Sequence, residues 1–159
     1  MSRAWKKLLE KGIRNQDADL LTDEFVSIDE AAQLLRVHVR SVQRRVRERS
    51  LLTLRSFSTK EIRIPAWTLG FRPRDTRALL AEVGDHHWHL YLFLREPIGG
   101  LSALTPEQML VPLDQLRRVP RAYREDLIER LGGRNETLVA KIIELLRDQM
   151  QGTDGSGFG

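Results

Sequence analysis

Apolar residues recur along this chain with two different periods, and the change of period divides it. Ala31, Leu34 and Leu35 share one face of a predicted helix over residues 28–35. Ser27 and Glu30 stand three apart at its start, the capping pair in which each side chain satisfies an orphan backbone N–H. Val42 and Val46 form the seam of a second predicted helix over residues 39–49. Only Arg36, Val37 and His38 separate the two, a turn short enough for a helix-turn-helix. The period then shortens. Residues 51–57 are rich in Leu, Thr and Phe, Ser58, Thr59 and Lys60 form a polar turn, and Glu61-Ile62-Arg63-Ile64 alternates, so a two-stranded hairpin is expected. Pro65 cannot extend a ladder and ends the second strand, and Trp67 is placed to fold back over the small core.

The second half returns to helical spacing. Residues 70–75, with Gly70, Pro73 and two arginines, read as a linker. Helices are expected over residues 76–83 and, strongly apolar, over residues 87–94, before Pro97 and Gly99-Gly100 break the pattern. Thr105 followed by Pro106 is an N-cap with proline at the first helical position. Further helices are expected over residues 123–131 and 136–150, the last with Leu138, Ile142, Leu145 and Leu146 on one face. At the other end, Trp5, Leu8 and Leu9 give residues 2–13 an amphipathic helix ending at Gly12. Residues 152–159 hold four glycines and almost nothing to bury, so a disordered tail is expected.

Composition narrows the class. There is no cysteine, which removes disulfides, thiolate metal sites and thiol nucleophiles and fits a reducing compartment. No apolar run reaches membrane-spanning length and no signal-type segment opens the chain, so a cytoplasmic protein, nucleoid-associated when bound to DNA, is expected. The net charge of +4 hides an asymmetry. Residues 1–74 carry 16 Lys and Arg against 9 Asp and Glu, whereas residues 75–159 carry 10 against 13. A basic half beside a mildly acidic one suggests a polyanion-binding module joined to something else.

The basic residues concentrate where the helix-turn-helix is expected. Six arginines and one acid, Glu48, lie between Arg36 and Arg49. With Val42 and Val46 inward, Arg40, Gln43, Arg44 and Arg47 project outward, with Ser41 and Arg45 on the flanks. Arginine's planar fork bonds phosphates or the O6/N7 edge of guanine, and glutamine can pair adenine. The start of a recognition helix reaches base edges, which selects His38, Arg40, Ser41 and Arg44. Ser41 or a backbone amide beside it suits a phosphate. The hairpin adds Arg55, Lys60 and Arg63, whose expected contribution is salt-dependent affinity for the backbone.

Two family resemblances follow from these residues. Glu30-Ala31-Ala32, Ser41-Val42-Gln43-Arg44 and Arg63-Ile64-Pro65 resemble the excisionase/MerR-type winged helix-turn-helix, with two departures: Arg36 stands where the turn usually has glycine, and Ser50 precedes Leu51-Leu52 in place of glycine. This resemblance covers about a quarter of the chain and implies double-stranded DNA as ligand. Residues 87–110 are similar to the toxin-binding domain of Xre/MbcA/ParS-type antitoxins, with an unusually long spacing from Trp88 to Pro97. That similarity implies a protein partner bound through Trp88, Phe93, Leu94, Leu101 and Leu104.

Other chemistry is not indicated. His86, His87 and His89 cluster beside Asp85, but a spacing of two diverges on a helix, so no metal site is expected. No phosphate-binding glycine loop, nucleophile elbow or carboxylate pair stands out, and neither an enzyme nor a cofactor is expected. The expected architecture is mainly α: a lead-in over residues 1–25, a winged helix-turn-helix with a two-stranded hairpin over 26–69, the linker 70–75, a helical assembly or partner-binding domain over 76–151, and the tail 152–159. The expected function is a sequence-specific transcriptional regulator. Alternatives are an antitoxin-like protein or a structural DNA protein acting in recombination, partition or chromosome organisation. One short recognition helix buries little surface, so a homodimer reading paired half-sites is expected, held by the first and last helices.

Overall fold

The computed structural model describes residues 18, 20–22, 24–101, 104–111, 120–130 and 135–156. The helix expected over residues 2–13 and the breaks at Pro112 and Gly132-Gly133 lie outside the described residues. The chain divides into two compact units, Met1–Leu69 and Gly70–Gly159. It is mainly helical, with seven α-helices among the described residues and one small antiparallel sheet. No described helix is long and apolar enough to cross a membrane.

In the first unit, strand β1 (Phe25–Val26) leads into helix α1 (Ile28–Leu35), helix α2 (Val39–Arg47), strand β2 (Leu54–Arg55) and strand β3 (Ile62–Pro65). Ser27 caps α1: Glu30 N donates to Ser27 Oγ and Ser27 N to Glu30 Oε1, each at 3.1 Å. The strand order is β1-β3-β2, with Val26 opposite Ile64 and Leu54 opposite Arg63. The hairpin therefore supplies the central strand β3 and the edge strand β2 of a three-stranded sheet. The lead-in residues Phe25 and Val26, too short for a periodic pattern, supply the third strand. Pairing in β2 is confined to Leu54 and Arg55, while Leu51 and Leu52 are buried as loop residues. Pro65 is the last residue of β3, and a 3-10 turn (Ala66–Gly70) follows. Trp67 is half-buried and donates from Nε1 to Glu24 Oε1 at 2.9 Å.

One core serves both helices and the sheet. Val26, Ala31, Ala32, Val42, Leu51 and Ile64 are its buried members, with Leu35, Val37 and Val46 packed partly buried against them. Small Ala31 and Ala32 let α2 and β3 approach α1 closely. Burying such a methyl-rich cluster supplies about 25 cal/mol for each Å² removed from water, the main force holding so short a unit together.

The second unit contains helices α3 (Pro73–Val83), α4 (His87–Leu94), α5 (Pro106–Leu110), α6 (Arg121–Arg130) and α7 (Asn135–Ser156). Helix α3 packs on α4 and α7, and α4 on α5. The segment 70–75 is not a free linker. Gly70 ends the 3-10 turn, Phe71 is buried, and α3 begins at Pro73, whose fixed φ and missing N–H suit the first helical turn. Thr105 caps α5 as expected and Gln108 completes the reciprocal pair. Helix α7 runs on through Gly152 to Ser156, into the segment expected to lack structure.

Candidate nucleic-acid interface

Helix α2 has an apolar stripe and a cationic remainder. Val42 is fully buried and Val46 half-buried, whereas Arg40, Gln43, Arg44 and Arg47 are exposed and Ser41 and Arg45 half-buried. That division is the one expected from the spacing of the valines. Among the described residues, Arg36, Arg40, Arg44, Arg45 and Arg47 have no carboxylate partner. Arg40 and Arg44 stand four apart, as like charges that oppose helix formation by a few tenths of a kcal/mol, about 0.2–0.5. Three of the arginines sit in the last turn, where the helix dipole favours them.

His38 is the N-cap of α2. Its Nδ1 accepts from Arg40 N at 3.1 Å. In the neutral ring this puts the proton on Nε2, leaving an N–H donor on an exposed side chain at the helix start. His38 thus has a local structural task that the sequence did not reveal, alongside its place in the candidate surface.

The ends of both helices explain the missing glycines. At the end of α1, Arg36 has φ 56° and ψ 44°, with Arg36 N donating to Gln33 O at 3.2 Å and Val37 N to Ala32 O at 3.0 Å. At the end of α2, Arg49 has φ 58°, with Arg49 N donating to Val46 O at 3.1 Å and Ser50 N to Arg45 O at 2.9 Å. Both are left-handed helix stops of the kind glycine usually makes. The second left-handed residue is Arg49, one position before the Ser50 that the sequence comparison singled out. It also ends α2 at Arg47 instead of residue 49. Ser50 is buried and its Oγ donates to Arg45 O at 3.2 Å.

The hairpin separates two residues that the sequence treated alike. Arg55 and Lys60 are exposed, and Arg55 Nη1 donates to Lys60 O at 3.2 Å, bracing the turn. Lys60 also has a left-handed backbone, φ 63°, and its Nζ lies 4.6 Å from the centre of the exposed Phe57 ring. Arg63 goes the other way. Its Nε donates to Leu20 O at 3.1 Å and its Nη2 to Phe25 O at 3.2 Å, with Nη1 3.8 Å from Glu30 Oε1. Only 16% of its side chain is exposed. Arg63 therefore fastens the lead-in segment to the sheet and is not an open ligand for DNA, a correction to its place among the candidates. The physical reason is the lead-in segment, whose Leu20 and Phe25 carbonyls accept the Arg63 donors. Glu30 is held below the usual carboxylate range, chiefly by its bond from the Ser27 backbone.

Charge around the hairpin is not uniformly positive. A shallow cleft of about 330 Å³ is lined by Ser27, Asp29, Arg55, Lys60 and Glu61 among others, so two acids face the two cations. The exposed surface of α2 is the more consistently basic one.

The five candidate partner-binding residues are mostly internal. Phe93, Leu94, Leu101 and Leu104 are buried in the second unit, and Trp88 is half-buried, edge-on to Tyr91 at 5.5 Å. These side chains build the unit's own core, so the first four are not open to a partner. The apolar face of α7 is similarly used: Leu138, Ile142 and Leu146 are buried within the protomer and give no free dimer face. His86 is exposed, His87 and His89 half-buried, and among the described residues no three His, Cys, Asp or Glu side chains converge as a metal site would require.

No family model, curated protein or solved structure matches this chain.

Proposed function

We propose that residues 25–69 bind double-stranded DNA as a winged helix-turn-helix and that the protein is a sequence-specific transcriptional regulator. The observation that carries this reading is the surface of α2: one buried valine seam, and around it arginines that no described carboxylate neutralises. Such a surface repels itself unless an anion covers it. The short connection from α1 to α2 and the hairpin that follows suit a helix lying in the major groove with a wing beside it. In this reading His38, Arg40, Gln43 and Arg44 face base edges, Ser41, Arg45 and Arg47 approach the backbone, and Arg55 and Lys60 supply the wing's phosphate contacts. The resemblance of residues 26–67 to excisionase/MerR-type modules points the same way. A homodimer on paired half-sites remains part of the proposal, because one nine-residue helix reads few base pairs.

Selection of bound sequences from a random duplex pool at two salt concentrations tests it. A motif with two half-sites is the expected result, with spacing near one helical turn or a multiple of it. Salt-sensitive binding without a motif would replace regulation by an architectural role. No binding at low salt would remove the DNA reading altogether.

A further inference from the structure

Three non-glycine residues have positive φ among the described residues: Arg36, Arg49 and Lys60. All three are cations and all are exposed. Lys and Arg make up 26 of 159 residues, fewer than one in six, yet they occupy every such position. The residues that tolerate this conformation are glycine and, less well, Asn, Asp and His, because the β-carbon of an L-residue crowds its own carbonyl there. The positions punctuate the candidate interface: the turn between the helices, the end of α2 and the tip of the hairpin. We infer that Arg36, Arg49 and Lys60 form a set of phosphate-binding side chains, kept at sites where glycine would fold better because their charge holds the DNA backbone.

The inference rests on the DNA-binding reading and adds to it the residues that anchor α1, α2 and the wing on phosphates. Backbone strain persists where the surrounding structure holds it in place, and it clusters at ligand-binding and switch positions. A rival explanation is that a cation at a helix carboxyl end favours the dipole. It would account for Arg36 and Arg49, which close α1 and α2, but not for Lys60, which lies in a hairpin turn. The two explanations also differ in the salt dependence: under the rival, replacement by glycine removes a charge–dipole interaction that offsets the backbone relief and leaves the salt slope of duplex binding unchanged.

The test uses the full chain and a random-sequence duplex. Arg36→Gly, Arg49→Gly and Lys60→Gly are made singly and together, with Arg36→Lys and Arg49→Lys as charge-retaining controls. Thermal midpoints and the salt dependence of duplex affinity are measured for each. Each glycine variant is expected to raise the midpoint by about 1–4 °C. Each is expected to make the slope of log K against log salt shallower by about 0.9, and the triple variant by about 2.7. The lysine variants should match the parent in both. Unchanged slopes in the glycine variants, with the parent binding normally, overturn the inference and leave the DNA reading standing. A lowered midpoint assigns Arg36 and Arg49 to the helix ends and overturns it too. A parent chain that does not bind the duplex at low salt defeats both readings at once.

Discussion

Arginine has different partners in the two units. In the second unit four arginines meet carboxylates: Arg72 bonds Asp75 at 3.0 Å, Arg121 bonds Glu125 at 2.7 Å, Arg130 pairs with Asp126, and Arg147 grips Glu82 through two bonds of 2.6 and 3.2 Å, while Arg95 donates to the Tyr91 hydroxyl at 2.6 Å and the buried Arg124 to Met109 O at 2.8 Å. Among the described residues of the first unit the arginines of α2 lack such partners, and Arg63, which turns inward, bonds mainly backbone carbonyls. A paired surface charge adds little stability and leaves the field near neutral. An unpaired row does the opposite, raising a positive potential over one helix and keeping its donors available. The same residue type therefore stitches one unit together and equips the surface of the other. Counting arginines does not distinguish these uses; their carboxylate neighbours do.

The largest effect expected from breaking this contrast is at Arg63. Arg63→Met removes two charge-assisted bonds to backbone carbonyls and should cost about 2–4 kcal/mol in urea denaturation. Intact stability with lost DNA binding would return Arg63 to the interface. Arg44→Ala should behave in the opposite manner, with stability equal to or slightly above the parent because repulsion from Arg40 is relieved. Its binding to the selected site should weaken by about 1–3 kcal/mol, read by anisotropy titration against matched and mismatched duplexes. Equal losses on both duplexes would make Arg44 a backbone contact.

The smallest effect belongs to the paired arginines. The bond from Arg147 holds Glu82 below the usual carboxylate range, against a smaller opposing effect of burial. A carboxylate whose pKa is depressed by folding stabilises the protein above its unfolded pKa, and that contribution disappears as pH falls through the folded value. Glu82→Gln should therefore be slightly less stable than the parent at neutral pH and converge with it in acid, below the ordinary carboxylate range. Thermal melts across that pH window check the convergence. The salt slope for DNA should not change, and a changed slope would tie Glu82 to the interface.

Several features of the candidate site were legible because they are local. The valine spacing of α2 assigned its inward face, and the Ser27–Glu30 and Thr105–Pro106 signals marked helix starts that the fold contains. Arg36 was conspicuous as a departure from glycine, although its left-handed backbone was not foreseen. The misjudged residues depend on distant neighbours. Arg63 sits in an alternating segment that reads as half exposed, but Leu20 and Phe25, about forty positions earlier, receive its donors. Phe93, Leu94, Leu101 and Leu104 have the composition of a binding patch and equally of a core, and packing within the second unit made them core.

By itself the sequence determined the helical spacing, the capped starts, the turn length and the concentration of charge on residues 36–49, all of which arise from interactions within a few positions. Tertiary structure alone decided three things: that Phe25 and Val26 pair with β3, that Arg63 is internal while Arg55 and Lys60 are exposed, and that the apolar residues of the second unit cover one another. Each depends on which segments meet in space, and long-range pairing is set by summed burial across the chain and not by any local preference.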